Sequence, residues 1–480
     1  MKNIISHLKL SFSVIFIFFF LTNGQAQYTI NSEYGNLIDC DTVTSGIYIV
    51  WWDNGWDYQA DAELLLTYME SYRDVCLNDL SMQDPPNPTD GYYYNVYLHH
   101  SGDIFPNGWG NGQGTDTNGY PYLTLPIGAH NDWVNVAHET FHVFQYSGTS
   151  PGFSYSGDSQ WYIEAAANWF AALQNANDDR AFLEAESLVR IPHVALWLSY
   201  DNFPSSYPQN WQRYVHQYAL ALFLYYLSEE TDVPDNIITD GLYAGTTELP
   251  QEYFFNQIGG SVFRNHFIDW AAHMTNHFDF LPSNQINRFE LEWNDYADPL
   301  DDNEFVDIYQ DTGSDGWYRP ENEFATAAWA FNTYKINNES NDSYTFELNS
   351  DLFGSEGAPS YFQGKVIVQN TNTGTTFYDL DMSSDQEGSL TLIVTPQDTT
   401  IYFIVASMPE VFTGVEQIYS YEMRITKGIL GLNDFQLDSN PKKIIGRFDV
   451  LGRKVTETDK GIQIILYDDG SSKKIHTINN

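Results

Sequence analysis

Positively charged residues are scarce in this chain. Lysine and arginine together number 21 against 64 aspartates and glutamates, so the formal net charge at pH 7 is −43. Such a chain repels nucleic acid and anionic membranes, which argues against both as partners. Aromatic residues make up 16% of the chain, so the composition is that of a folded protein rather than a disordered acidic one. We interpret the charge as an exported, salt-tolerant surface, with calcium-binding loops as a second interpretation.

Cysteine is nearly absent, and the two cysteines are Cys40 and Cys76. Both lie in the N-terminal part of the chain and would meet an oxidising compartment after export, where disulfides form. Neither has an adjacent histidine that would activate a thiol. We therefore expect one disulfide between Cys40 and Cys76 and no cysteine catalysis.

Long hydrophobic runs are also rare. One such run, Leu10 to Leu21, follows Lys2 and Lys9 and precedes the small residues of Gly24-Gln25-Ala26. This run is too short to span a bilayer, and its flanks are those of a secretory signal peptide cleaved near Ala26. The prediction is that residues 1–26 are a signal peptide, and a retained lipid or helical anchor is the alternative.

The most informative stretch contains His138, Glu139 and His142 in the pattern H-E-x-x-H. On a helix the two histidines lie one turn apart on the same face, so both imidazoles can bind one metal ion. Glu139 then lies beside that ion, where its carboxylate can take a proton from a metal-bound water. A chance match on a surface helix is the alternative. The apolar neighbours argue against it, because burying these groups unpaired is costly. The pattern therefore predicts a zinc site.

Glu164 is the candidate third zinc ligand. A catalytic zinc usually has three protein ligands and one open position. The metzincin pattern is excluded because Gln145 and Gly148 occupy the positions that it assigns to a glycine and a third histidine. Glu164 begins the run Glu-Ala-Ala-Ala, whose small residues allow two helices to approach closely, and Asn168 one turn later could orient a ligand imidazole. The alternative is a solvated helix residue.

The segments AHETFHVFQ (137–145) and WYIEAAANWFA (161–171) together resemble the gluzincin-type zinc peptidases of the MA-like superfamily. The resemblance covers about residues 120–230 and implies a zincin-like α+β domain with His138, His142 and Glu164 as zinc ligands. It also implies a tyrosine or histidine from a later helix at the oxyanion. Tyr218 fits that role best, and His216 is the alternate.

The last part of the chain carries a second resemblance. Short alternating strands with a Gly-containing turn predict a small antiparallel β unit after about residue 430. The sequence segments DVLGRKV (449–455) and YDDGSSKK (467–474) of this unit resemble the C-terminal sorting tail of the type IX secretion system. That resemblance implies export across an outer membrane, with the secretion machinery as a partner.

These features predict four consecutive parts. They are a signal peptide (1–26), a zinc metallopeptidase-like α+β domain (27–320), an antiparallel β-sandwich (321–428) and a sorting tail (429–480).

Within the second part, the run 120–126 is predicted to be a strand whose exposed edge pairs with an extended peptide. The glycine-rich segment 108–119 is predicted to be a turn-forming loop without phosphate binding. The acidic run 298–315 lacks the spacing of a calcium-binding EF-hand and is predicted to be a linker.

The resulting hypothesis is a secreted zinc-dependent peptidase in which a zinc-bound water attacks the peptide carbonyl and Glu139 is the general base. Endopeptidase action is favoured over exopeptidase action because no site for a terminal charge is evident. The alternative is an exported adhesion or glycan-binding protein with a structural or vestigial zinc helix, in which the β-sandwich makes the contacts.

Overall fold

The structure is a computed structural model, and it describes most of the chain between residues 37 and 477. The described residues are 37, 39–99, 112–203, 211–275, 277–296, 308–310, 316–321, 324–338, 342–413, 417–429, 444–449, 453–456, 461–467 and 472–477. The predicted signal peptide and most of the acidic run 298–315 lie outside them. Among the described residues, no helix has the length and apolar character that crossing a bilayer requires.

The N-terminal part contains a five-stranded mixed sheet. Its strands are β1 (Cys40–Ser45), β2 (Tyr48–Asp53), β3 (Tyr94–His99), β4 (Gly112–Thr115) and β5 (Pro121–Pro126). The strand order is β1-β2-β3-β5-β4, in which β2, β3 and β5 are parallel and the two outer strands are antiparallel to their neighbours. Both faces of β2 and β3 are buried, as the aromatic and β-branched composition of these strands predicts.

Eleven α-helices are described, all of them before residue 297. Helix α1 crosses between β2 and β3, and it buries residues at helical spacing from Ala62 to Cys76. Helices α3 and α4 pack against each other and belong to the same core as the sheet. The helices are α1 (Gln59–Asn78), α2 (Pro86–Thr89), α3 (Trp133–Gln145), α4 (Gln160–Asn175), α5 (Glu186–Arg190), α6 (Trp211–Ala219), α7 (Ala221–Glu230), α8 (Asn236–Asp240), α9 (Pro250–Ile258), α10 (Gly260–His273) and α11 (Ser283–Tyr296).

The second half forms an antiparallel β-sandwich. A six-stranded sheet has the order β13-β14-β10-β17-β7-β6, and a four-stranded sheet has the order β12-β11-β15-β9. Phe346 on β10 contacts Phe403 on β15 across the two sheets, with ring centroids 5.5 Å apart. The strands of these two sheets are β6 (Ile308–Gln310), β7 (Tyr318–Pro320), β9 (Ala330–Asn337), β10 (Asp342–Ser350), β11 (Phe362–Asn370), β12 (Gly374–Asp379), β13 (Asp381–Met382), β14 (Glu387–Ile393), β15 (Asp398–Ser407) and β17 (Tyr421–Ile429). Strands β8 (Thr326–Ala327) and β16 (Ile418–Tyr419) pair with each other in a separate two-stranded sheet.

Helices and sandwich share one hydrophobic core. Trp329, which is fully buried, packs against Phe263 and Phe267 of α10 at centroid distances of 5.3 and 5.5 Å. Trp197 contacts the same tryptophan at 5.4 Å. The prediction of helices combined with antiparallel sheets is therefore confirmed, although the two parts are joined by a continuous apolar core.

Two local features differ from the sequence prediction. Strands β6 and β7 lie before the predicted boundary at 320, yet they pair with the six-stranded sheet, so that sheet begins earlier in the chain. These strands are only three residues long, which is too short for an alternating pattern to reveal. The later helix that was expected to carry Tyr218 and His216 is divided into α6 and α7 at Leu220. No glycine or proline marks this break in the sequence.

The predicted disulfide is wrong, because both cysteines are free. Cys76 is fully buried in the main core beneath the sheet, among the residues of α1. Cys40 instead packs with Ile49, Trp51 and Tyr97, which form a separate cluster on the other face of that sheet. The β-sheet therefore separates the two thiols.

The C-terminal part forms a three-stranded antiparallel sheet of its own. Its strands are β18 (Ile444–Asp449), β19 (Gly461–Tyr467) and β20 (Ser472–Thr477), in that order. This is the small β unit that the alternating pattern predicts. Its proposed sorting role remains a prediction.

Candidate metal centre

Helix α3 carries the H-E-x-x-H segment in a largely buried position. Its N-terminus is capped by Asp132, whose side chain accepts a hydrogen bond from the Asn135 amide at 3.1 Å. Every residue from Val136 to Gln145 is buried. Placing two imidazoles and a carboxylate in such a helix requires partners for them.

The structure brings the three predicted metal ligands together. His138 Nε2 and His142 Nε2 lie 3.0 Å apart, and Glu164 Oε2 from α4 lies 3.4 and 3.5 Å from them. Ligand atoms arranged tetrahedrally about 2.0–2.2 Å from one zinc ion are about 3.3–3.6 Å from each other. The three atoms therefore have a spacing close to that of a zinc site, and the donor set of two imidazoles and one carboxylate suits that ion.

Two buried amides orient the histidines. His138 Nδ1 donates to Asn168 Oδ1 at 2.6 Å, and His142 Nδ1 donates to Gln145 Oε1 at 2.7 Å. The amide orientations are fixed because Asn168 Nδ2 donates to a carboxylate oxygen of Glu184 at 3.2 Å and Gln145 Nε2 donates to a backbone carbonyl at 3.1 Å. Each Nδ1 thus carries the proton, and each Nε2 lone pair points toward the shared centre.

His138 Nε2, His142 Nε2 and Glu164 Oε2 form a triangle, and the charges around it favour a positive charge at its centre. Burial disfavours protonation of His138, but its hydrogen bond with Glu164 and the charges of Glu139 and Glu164 outweigh this and raise its pKa to about 9. Burial acts to raise the pKa of Glu164, and the hydrogen bonds from the two histidines hold that pKa well below its usual range. A divalent cation and a proton therefore compete for His138 Nε2.

Glu139 lies next to the triangle without belonging to it. Its side chain is 7% exposed, and burial raises its pKa, whereas the charges of His138 and His142 lower it. A carboxylate whose pKa is raised toward neutrality is better suited to accept and return a proton than a solvated one. Glu139 can therefore serve as a general base beside the centre.

Tyrosine rings surround the same centre. Tyr218 of α6 stacks on the His138 ring with centroids 6.1 Å apart, and burial followed by the charge of Glu164 raises its pKa well above the usual range. The Tyr146 ring lies 5.9 Å from that of His142. The Tyr155 hydroxyl interacts with Glu164, and its pKa is also raised, mainly by burial. The hydroxyls of Tyr218 and Tyr155 are therefore protonated donors at neutral pH.

His216, the alternate oxyanion candidate, lies elsewhere. It is fully buried, and its ring forms hydrogen bonds with Ser187 Oγ at 2.9 Å and with the Ala195 carbonyl at 3.1 Å. Burial lowers its pKa to about 4. His216 is a hydrogen-bonded core residue, and Tyr218 is the member of the pair that reaches the centre.

Strand β5, which was predicted to offer an exposed edge to an extended peptide, does not lie at the edge of the sheet. Strand β4 pairs with it, and the described sheet ends at β4. The glycine-rich segment predicted to be a loop therefore supplies this strand. Gly114 has no room for a side chain, because a Cβ there would lie 2.3 Å from the Tyr122 ring. A pocket lined by Gly114, Thr115 and Tyr146 opens beside this strand.

Gln145, Glu184 and Tyr155 are site residues that the sequence analysis did not identify. Gln145 follows His142 by three residues, so helical spacing places both side chains on one face of the helix. The sequence alone could therefore have identified Gln145 as a partner of His142. Glu184 and Tyr155 come from a short helical turn and a loop. Only the fold brings them to the site.

Comparison with known proteins gives a family without an assigned activity. The sequence pattern of a family described as "Family of unknown function (DUF6055)" matches residues 41–426. The chain belongs to this family. The matched range includes α3, α4 and the sandwich up to residue 426 in its last strand, β17, and it excludes the predicted signal peptide and the three-stranded C-terminal sheet. Among curated proteins, no sequence matches the chain.

Similarities to solved structures are weak. The M60 catalytic domain with the CBM51-1 and CBM51-2 domains from Clostridium perfringens ZmpB aligns with 91% of this chain and 67% of its own, at 9% identity and a TM-score of 0.27. The C-terminal family 22 carbohydrate binding module of Clostridium thermocellum Xyn10B aligns with 26% of this chain and 82% of its own, at 18% identity and a TM-score of 0.18.

Proposed function

We propose that this protein is a zinc-dependent peptidase. The observation that carries the proposal is the convergence of His138, His142 and Glu164, whose ligand atoms lie 3.0–3.5 Å apart beside the buried carboxylate of Glu139. A zinc ion held there would supply Lewis acidity that polarises a carbonyl and lowers the pKa of water. This combination of groups is the one that metal-assisted hydrolysis requires.

Glu139 acts as the general base in this proposal. Its carboxylate accepts the proton of the attacking water and passes it to the leaving amine as the peptide bond breaks. The buried amides of Asn168 and Gln145 hold the two imidazoles in one orientation, so the centre does not have to reorganise during the reaction.

Tyr218 stabilises the developing oxyanion. Its hydroxyl stays protonated, because burial and the Glu164 charge raise its pKa well above the usual range, so it can donate a hydrogen bond to negative charge that forms near His138. Tyr155 also approaches Glu164, but its side chain is 43% exposed. We therefore assign the oxyanion role to Tyr218.

Strand β4, at which the described sheet ends, provides a place for the substrate backbone. An extended peptide that pairs with β4 would pass the pocket beside Tyr146 and reach the centre from that side. Pairing along a strand needs no free terminus of the peptide, which favours endopeptidase action. The sequence at this strand, Gly-Gln-Gly-Thr, keeps the approach to the backbone open.

The experiment that tests this proposal combines metal analysis with a cleavage assay. Purified protein lacking residues 1–26 is expected to contain one tightly held zinc ion and to cleave casein or gelatin. Treatment with 1,10-phenanthroline should stop cleavage, and added zinc should restore it. A folded, zinc-containing protein that cleaves no peptide bond would contradict the proposal and would favour an adhesion or glycan-binding role.

Export is a second proposal that rests on the two ends of the chain. The apolar run before Ala26 supplies a leader that is removed, and the tail after residue 429 directs passage across an outer membrane. The separate three-stranded sheet at the C-terminus supports the tail assignment, because a recognition unit has to fold independently of the part that it exports.

A further inference from the structure

A second group of metal-binding side chains lies at the end of α10. His273 is the last residue of that helix, His277 follows after one turn, and Asp279 follows two residues later. One Asp279 oxygen contacts His273 Nδ1, and the other lies 3.1 Å from His277 Nε2. The three residues each offer a ligand atom within 4.8 Å of the others. None of them belongs to α3 or α4.

The backbone after α10 is bent in a way that brings these ligands together. The Phe278 amide donates to the His273 carbonyl at 2.7 Å, and Phe278 has a φ of +45°. Bulky residues rarely adopt this left-handed conformation, which persists only where the surroundings hold it. The Phe278 ring is fully buried against Phe289, with centroids 5.3 Å apart. The turn is therefore anchored in the core, and it directs Asp279 back toward the helix end.

The sandwich covers this cluster from the other side. The Phe377 ring of β12 lies 4.8 Å from that of His273 and 5.9 Å from that of His277. Thr375 Oγ1, also on β12, lies 3.5 Å from His277 Nδ1. A contact at Nδ1 leaves Nε2 of the same ring directed at Asp279, which is how outer groups orient a metal-binding histidine.

A buried lysine of β11 joins the same two elements. Lys365 Nζ lies 2.6 Å from Asp269 Oδ1 of α10 and 2.7 Å from Asp379 Oδ1 of β12. The lysine side chain is only 7% exposed. The cluster thus lies on a seam, formed by the end of α10 and strand β12, where the helical part meets the sandwich.

We propose that His273, His277 and Asp279 bind a second zinc ion that stabilises this seam. Two imidazoles and one carboxylate are the donors that zinc and similar divalent transition metals prefer, whereas calcium and magnesium take oxygen ligands. Asp279 has a 47% exposed side chain, against 8% for Glu164, so this ion exchanges with solvent more readily than the first. Its role is structural, because the cluster lies where the end of α10 meets strand β12 of the sandwich.

The test counts zinc ions in variants of the whole protein, purified without a polyhistidine tag and stripped with a chelator. We expect two zinc equivalents in the unmodified protein, a tight one and a weaker one. His142→Ala should keep only the weaker, Asp279→Asn should keep only the tight one, and the combined variant should keep neither. His266→Ala, which removes another histidine of α10, is the matched control and should keep both.

A thermal readout separates a stabilising ion from incidental surface binding. In the His142→Ala background, added zinc should raise the unfolding temperature, and this rise should disappear when Asp279→Asn is added. Circular dichroism reports whether each variant folds, and the exposed position of Asp279 makes its replacement mild. The proposal is overturned if His142→Ala binds no zinc, or if the second equivalent and the thermal shift both survive in Asp279→Asn. Neither result bears on catalysis at the first centre.

Discussion

The His142 Nδ1 atom donates a hydrogen bond of 2.7 Å to Gln145 Oε1, three residues later on the same helix. The Gln145 amide nitrogen in turn donates to the carbonyl of Ile163, the residue directly before Glu164. One side chain therefore links a candidate histidine ligand on α3 to the helix that carries the candidate carboxylate ligand. Outer groups of this kind fix the ring orientation and strengthen metal binding.

Gln145→Leu should lower zinc affinity about 10- to 100-fold, because the His142 ring loses the group that orients it. Leucine has a similar volume, so the packing of the helices should be preserved. Competition with a fluorescent chelator measures the affinity. Gln59→Leu, at an exposed position of α1, is the matched control and should bind zinc normally. Unchanged affinity in Gln145→Leu would show that the hydrogen bond has no part in orienting the ligand.

Glu164→Ala should weaken zinc binding about 10-fold or more, because a charged ligand is lost and the effect should be at least as large as that of an outer partner. The helix should survive, since alanine is a better helix former than glutamate and three alanines follow. Zinc content after dialysis against a weak chelator measures the effect, with circular dichroism as the folding control. If the folded variant keeps both its zinc and its activity, Glu164 is not a ligand.

Tyr218→Phe should reduce kcat about 100-fold or more while zinc content and KM change little, because the hydroxyl acts only on charge that develops in the transition state. Steady-state kinetics on a quenched fluorescent peptide provides the measurement. Tyr214→Phe, one turn earlier on α6 and half exposed, is the control. Equal losses in the two variants would assign the effect to the aromatic surface rather than to the Tyr218 hydroxyl.

Removing residues 430–480 should leave zinc content and peptide cleavage of the purified protein unchanged. The strands of this tail pair only with each other among the described residues, so the rest of the fold does not depend on their pairing. In the producing cell, the truncated chain should no longer reach the surface or medium, as fractionation and immunoblotting would show. Normal export of the truncated protein would refute the sorting assignment.

The inner part of the candidate metal centre could be predicted because it depends on local spacing. His138, His142, Glu139 and Asn168 all follow from helical periodicity on two adjacent helices. Glu184 and Tyr155 could not be predicted in the same way, because they come from irregular segments that only the tertiary fold positions.

The errors in predicting the fold have a related cause. Cys40 and Cys76 are close enough in sequence to suggest a bridge, but sequence does not show on which face of a sheet each residue lies. Strand β4 was missed because its glycines signal turns, and its pairing with β5 is held in part by the Tyr122 ring over Gly114. Strand formation here depends on a neighbour rather than on local propensity.

Glu139→Gln tests the central claim most directly, because it removes the general base and leaves the three ligands in place. We predict that the variant retains its zinc, since Glu139 is not one of the ligands, and that kcat falls about 100- to 10,000-fold, since an amide cannot accept the proton of the attacking water. Glu63→Gln, on an exposed part of α1, controls for the loss of a charge. Zinc content and peptide cleavage are measured on the same preparation. Cleavage near the unmodified rate by the zinc-loaded variant would contradict the account.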